Sequence, residues 1–207
     1  MSDGISVITD TTALRQTYEP PVEMARKKVL DYLDPHARRF IAMSPFLTIA
    51  STSAAGTDCS PRGDEPGFVQ VVDDRTMLLP DRRGNNLLDT MQNVLEHPQI
   101  GLLFLVPGLN ETLRVNGKAK IVTDPVVLQS MAIKGKIVPA SAMQIAVEQV
   151  YFHCGRAILR ADLWNPEKKV AREDFPMLGT VLADQIKGFD ADAANKRLEV
   201  AYTTNLY

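Results

Sequence analysis

Cysteine is scarce in this chain: Cys59 and Cys154 are the only two in 207 residues, far apart, and neither belongs to a CxxC pair. That argues against a disulfide scaffold and against a zinc knuckle. Histidine is nearly as rare. His36 stands among charged residues and reads as a solvated side chain, while His153-Cys154 has no third ligand close by in sequence, so no metal site is expected. Long apolar runs are missing too. The longest, Leu102 to Pro107, is far too short to cross a bilayer, and no signal peptide is visible, so the expected compartment is the cytoplasm, without membrane contact. Nor does one sign of charge prevail: 23 Lys and Arg against 25 Asp and Glu give a net charge of -2. Without a global basic field, nucleic acid is not an expected partner, and any anion site has to be local. No internal repeat, low-complexity segment or dividing linker interrupts the chain, so residues 1–207 are read as one domain.

What is present is a globular composition, 45% hydrophobic and 23% charged, in a chain long enough to bury a core without staples. Its most informative stretch is LLPDRRGNN, Leu78 to Asn86. The apolar run Thr76 to Leu79 ends at Pro80-Asp81, Arg82 and Arg83 follow, and Gly84-Asn85-Asn86 opens LLDTMQNVLEHP, in which Leu87, Leu88, Met91, Val94 and Leu95 share one helical face. The pattern predicts a strand, a basic turn and a helix start. A helix N-terminus leaves amides unpaired and carries partial positive charge, and flanking guanidinium groups add bidentate donors, so a phosphate suits such a turn. An ordinary turn with a solvated arginine pair has the same letters, and the motif is less specific than a P-loop.

Upstream, residues 1–20 are read as a loosely held arm. Apolar positions from Val22 to Met43 recur at helical intervals and break at Asp34-Pro35, which predicts two short helices over about 22–43, the second with Asp34 as N-cap. Phe46 to Ala50 reads as a strand, Ser53 to Thr57 as a turn, and CSPRG as the antiparallel return. Ser60 to Asp64 is expected to form a polar corner able to hold Arg62 and Asp64 over a ligand, making both candidate substrate contacts. Phe68 to Val72 and Thr76 to Leu79 form a hairpin across Asp73-Asp74-Arg75. GLLFLV, Gly101 to Val106, is apolar throughout and suits a strand buried on both faces. The alternating run after Glu111 places Thr112, Arg114 and Asn116 on a wet face. Asp124-Pro125 opens a short helix, and Met143 to Phe152 is the last strand, with Met143, Ile145, Val147 and Val150 inward. A helical extension follows over about 154–207. There Arg156, Arg160 and Trp164 fall at i, i+4 and i+8, which on a helix gives one face with two cations and an aromatic plate.

Five blocks in one order, SPRGDEPGFVQV, LLPDRRGNNLLDTMQNVLEHPQIGLLFLVPG, ETLRVNGKA, VYFHCGRAILRADLWNP and LGTVLADQ, together resemble the pyridoxamine 5'-phosphate oxidase-like superfamily of FMN-binding split barrels, and especially a branch described as FMN-dependent. The resemblance covers most of residues 46–185. It implies a mainly β fold with peripheral helices, a six-stranded antiparallel split β-barrel, and a homodimer with FMN at its interface. It implies further that Arg82, Arg83, Asn85 and Asn86 hold the FMN phosphate, that Thr112 and Arg114 contact the flavin, and that Arg156, Arg160 and Trp164 stand near the flavin of the other chain. Two departures stand out. GFVQVV lacks the oxidase's phosphate-binding arginine and lysine, and the oxidase's C-terminal arginine-histidine motif is absent, which points away from pyridoxamine phosphate as substrate. The implied activity is an FMN-dependent oxidoreductase acting on a small molecule, with no side chain assigned as general acid or base. The alternatives are a deazaflavin-using reductase on the same barrel and a flavin- or haem-binding dimer without turnover.

Overall fold

Period-two alternation of apolar side chains organises the middle of the chain. A computed structural model describes residues 5–204 and 206–207, so the first four residues of the expected N-terminal arm lie outside the described part. Strands β1 (Phe46–Ser53), β2 (Gly56–Gly63), β3 (Gln70–Val71), β4 (Thr76–Pro80), β5 (Gln99–Leu105), β6 (Thr112–Val122) and β7 (Ala142–His153) form one antiparallel sheet in the order β2-β1-β5-β6-β7-β4-β3. The split barrel is present with seven strands rather than six. The shortest is β3, which keeps only two residues of the expected Phe68–Val72 run and is held to β4 by Gln70↔Leu78 and Val71↔Met77. One face of β1, β4, β5, β6 and β7 turns inward: Leu47 and Ile49, Met77 and Leu79, Leu102 and Phe104, Leu113 and Val115, and Met143 and Ile145 are all buried in a single core. Along β7 the alternation slips, because Gly117 pairs with Val147 while Asn116 pairs with Gln149, leaving Glu148 as the extra residue of a bulge. The slip is what turns both Val147 and Val150 inward. It also requires glycine at 117, where a Cβ would overlap the Ala146 carbonyl oxygen.

The strand GLLFLV is buried on one face only. Ile100, Leu102 and Phe104 reach the core, whereas Gly101, Leu103 and Leu105 stay half-exposed on the outer face beside Thr48, Ala50 and the exposed Phe46.

Helices cover the inner face and both ends. The arm contains a helix that its polar sequence had not suggested, α1 (Thr11–Thr17), capped by Asp10 but burying nothing. After α2 (Glu23–Lys27), helix α3 (Pro35–Met43) begins as its sequence dictates, with Asp34 Oδ1 accepting from the Ala37 amide at 2.8 Å, and it buries Ala37, Phe40 and Ile41 against the sheet. Asp124 caps α5 (Pro125–Ser130), and the extension carries α6 (Arg156–Ala161), α7 (Leu178–Gln185) and α8 (Ala191–Thr204). Helices α7 and α8 approach so closely that the Gly179 amide reaches Asn195 Oδ1 at 2.8 Å and no Cβ fits there.

The element that positions the site is α4 (Asp89–Glu96), laid across β1 and β6. Its buried Asn93 donates from Nδ2 to Ser51 Oγ at 3.0 Å and to Asp58 Oδ2 at 2.6 Å, pinning the helix to the β1–β2 hairpin. Replacing Asn93 by alanine leaves both acceptors short of a donor inside the protein. The expected cost is about 1–3 kcal/mol, read as a lower denaturant midpoint at unchanged slope.

Candidate functional site

The loop that carries the basic turn leaves β4 and does not become helical where the sequence suggested. Asn85 Oδ1 accepts from the Leu87 amide at 3.1 Å, and both Asn86 and Leu88 take left-handed backbone, with φ of 60° and 61°. Asparagine tolerates that region, but a leucine there costs about 1–2 kcal/mol. These turns delay α4, so it starts at Asp89 and not at Gly84-Asn85-Asn86. Leu88 occupies its N-cap position and no side chain caps the first turn. The leading amides of α4 therefore have no partner within the helix.

Around this helix start lies a cleft of about 410 Å³, walled by Ser60 to Gly63, the 81–88 loop, and Asp89 to Met91. Ser60 to Gly63 do not form the expected corner. They continue β2 along the edge of the sheet, in register with Phe46 to Ile49, and the strand alternation sends Ser60 and Arg62 to the α4 side. Arg62 Nη2 donates to Thr90 Oγ1 at 3.2 Å and Nη1 to the Pro61 carbonyl at 2.8 Å. Burial lowers the affinity of this guanidinium for its proton, with the Asp81 carboxylate opposing that shift. Burial likewise pushes Asp81 above the ordinary carboxylate range, with Arg62 opposing.

Arg82 is held from two sides, by Asp64 Oδ2 on Nε at 2.6 Å and by the Met131 carbonyl on Nη1 at 3.0 Å. Asp64 thus does not overhang the cleft as a free substrate contact. It is a buried acceptor for Arg82, for its own neighbour's amide at Glu65, and for the Tyr207 hydroxyl at 2.8 Å. Arg83, Asn85 and Asn86 line the cleft from its solvent side. Since Asp64 neutralises Arg82, what remains is Arg62 and Arg83 against Asp81 and Asp89. The side-chain charge is then close to zero, and an anion preference has to come from the helix amides.

The other sequence candidates lie elsewhere in the chain. Thr112 and Arg114 sit on β6, where Thr112 pairs with His153 and Arg114 Nη1 donates to the Tyr151 hydroxyl at 2.8 Å. Arg156 and Arg160 are exposed on α6, but that helix stops at Ala161 because Asp162 turns left-handed. The continuous face with Trp164 therefore does not form. Trp164 instead packs on the turn after β5, its Nε1 donating to the Leu109 carbonyl at 2.8 Å. The structure brings together Arg62, Arg82, Arg83, Asn85 and Asn86 and separates them from Thr112, Arg114, Arg156, Arg160 and Trp164. Sequence reasoning missed Asp81, Thr90 and Tyr207: a polar residue at an amphipathic helix start could have signalled Thr90, whereas nothing local marks the other two.

A family model described as pyridoxamine 5'-phosphate oxidase matches residues 33–154, well over half of the chain and all seven strands. The chain belongs to this family. No curated protein matches it in sequence. Similar solved structures include HupZ from Group A Streptococcus, 18% identical, covering 56% of this chain and 90% of that one, with a TM-score of 0.46. An FMN-binding protein from Syntrophomonas wolfei is 13% identical over 56% of this chain and 82% of its own, with a TM-score of 0.45. A protein of the pyridoxinephosphate oxidase family from Clostridium acetobutylicum, related to general stress protein 26, is 11% identical over 57% and 86%, with a TM-score of 0.43. At such scores these likenesses add nothing to the assignment, which rests on the family model. The family match ends at Cys154, so the extension lies outside it. Among the described residues no helix is long and apolar enough to cross a membrane.

Asp81 supplies a test of the cleft's electrostatics. Its folded pKa lies above the unfolded value, so the folded state holds the proton more tightly, and stability falls as pH rises from the ordinary carboxylate value through the folded one. Asp81→Asn should raise the melting temperature at pH 7, with the gain vanishing once the medium is acidic enough to protonate the wild-type carboxyl. The same substitution should tighten inorganic pyrophosphate binding by about threefold to tenfold, the effect of deleting one nearby like charge in a half-buried site.

Proposed function

We propose that the protein is an FMN-dependent oxidoreductase acting on a small molecule, and that the arginine-lined cleft receives the FMN phosphate. The observation that carries the reading is the convergence of Arg62, Arg82 and Arg83 on the uncapped start of α4 in one cleft. A phosphate dianion needs several charge-assisted donors at once, and this set provides guanidinium groups from two strands' ends together with helix amides. Arg82 is oriented in advance by Asp64, and the exposed Arg83 can close on a ligand from the solvent side. When bound, FMN supplies the hydride chemistry. The chain's own residues hold and orient it.

The same proposal includes a homodimer. The outer face of β1 and β5 presents Phe46 exposed and Leu103 and Leu105 half-exposed, and a two-fold contact there would bury them. Thr112, Arg114, Arg156, Arg160 and Trp164, remote from the cleft in one chain, would enter a flavin site only across such an interface. Obligate contacts of this kind bury more than about 2,000 Å².

Arg83 is the cleanest probe of the phosphate grip, because removing Arg82 would strand the buried Asp64 carboxylate. Arg83→Ala should weaken FMN by about 1.5–3 kcal/mol, the worth of a charge-assisted contact, and leave riboflavin, which lacks the phosphate, nearly unchanged. Equal losses for both ligands would refute the assignment. Purified protein should be yellow and release FMN, and it should turn over reduced nicotinamide with an electron acceptor. Sedimentation of the flavin-loaded protein should give a dimer at micromolar concentration, and a flavin-loaded monomer would remove the interface from the proposal.

A further inference from the structure

Tyr207 reaches back from beyond α8 to the base of the cleft. Its hydroxyl donates to Asp64 Oδ1 at 2.8 Å, Asp64 Oδ2 accepts from Arg82 Nε at 2.6 Å, and Arg82 Nη1 donates to the Met131 carbonyl at 3.0 Å. The Asp64 side chain is 3% exposed and that of Arg82 19%. An ion pair this dry keeps its geometry only while its remaining oxygens and N–H groups are satisfied. Oδ1 of Asp64 has two donors, the Tyr207 hydroxyl and the Glu65 amide. Leu206 and Tyr207 also wall a hollow of about 550 Å³ that meets the arginine-lined cleft at Gly63 and Arg83. The bond to Asp64, followed by burial, raises the phenol's pKa, so Tyr207 is a protonated donor at neutral pH.

We propose that Tyr207 is a positioning residue for the anion grip: by completing the donor set of Asp64 it fixes the Arg82 guanidinium at the cleft, so that docking of Leu206 and Tyr207 and binding of a phosphate-bearing ligand are linked. The proposal rests on the cleft being a phosphate site and not on the ligand being a flavin. Without the hydroxyl, Asp64 keeps one amide donor and water enters through the adjoining hollow. Arg82 then loses the fixed orientation that aims its remaining nitrogen. Linkage makes the effect reciprocal, since whatever ligand holds Arg82 in place also favours the docked tyrosine. Leu206 and Tyr207 lie outside the family match, which makes the coupling a property of this chain's own extension.

The test uses the full chain and calorimetric titration with FMN, riboflavin and inorganic pyrophosphate. Tyr207→Phe, which keeps the ring and removes the hydroxyl, should weaken FMN and pyrophosphate by about threefold to tenfold, the range of one hydrogen bond, and leave riboflavin unchanged. In an Arg82→Ala background the same substitution should have no further effect, because the positioned group is gone. Where Arg82→Ala does not fold, Asp64→Asn provides the equivalent cycle. Unchanged FMN and pyrophosphate affinities in Tyr207→Phe, an equal loss for riboflavin, or the same factor in both backgrounds would each overturn the proposal. A wild type that binds pyrophosphate but not FMN would refute the flavin reading alone, with the coupling still read on pyrophosphate. Binding of neither phosphate-bearing probe would overturn both.

Discussion

The Asp64–Arg82 pair is the contact on which the geometry of the cleft depends. It joins the segment after β2 to the loop after β4, and through Arg82 it reaches the Met131 carbonyl at the end of α5. Taking two opposite charges out of water is costly unless every remaining valence is satisfied. Here both Asp64 oxygens and two Arg82 nitrogens are engaged, so the pair tolerates little movement of the elements it ties together. Arg82 is thereby a fixed wall of the site, and Arg83, one residue on, is its adjustable one.

Because that pair is internally neutral, the character of the cleft is set by weaker terms. Arg62 is drawn in under α4 by Thr90, Asp81 is disfavoured as a carboxylate by its burial, and the first turn of α4 offers amides with no side-chain cap. Each contribution is small in water, but they converge on one cleft walled by protein, where charges and dipoles act more strongly. A phosphate site of the kind proposed would differ from a cluster of bare cations, binding by arrangement, with a selectivity that depends on where α4 begins.

The position of α4 depends in turn on Asn93, which ties the helix to Ser51 and Asp58 of the β1–β2 hairpin, and on the left-handed Leu88 that delays its start. The outer face of the sheet is a separate matter. Phe46 is exposed there and Leu103 and Leu105 half-exposed, and His153 Nε2 is buried without a hydrogen-bond partner among the described residues. Burial first, and then the nearby Arg114 and Lys28, hold that imidazole below its usual pKa, so it stays neutral.

Much of the fold was legible from the chain alone, because the signals are short-range. The Asp34-Pro35 and Asp124-Pro125 starts, the return of CSPRG along β1, the hairpin into β4, and the inward sets of β6 and of β7 as far as Val147 all follow from capping, turn chemistry and alternation within a few residues. The five-block resemblance led to the family that the family model matches. Where local signals conflicted, the sequence reading failed: LLPDRRGNN continues smoothly into an apolar helical pattern, yet an Asn85 turn and two left-handed residues push the helix start to Asp89. Likewise the Arg156, Arg160, Trp164 spacing is helical on paper, and Asp162 breaks it. Only the tertiary structure decided that Asp64 serves Arg82, that Asp81 is half-buried, and that Tyr207 closes the network across 143 residues of chain. Burial and long-range pairing depend on what surrounds a side chain in space, and sequence neighbours do not encode that.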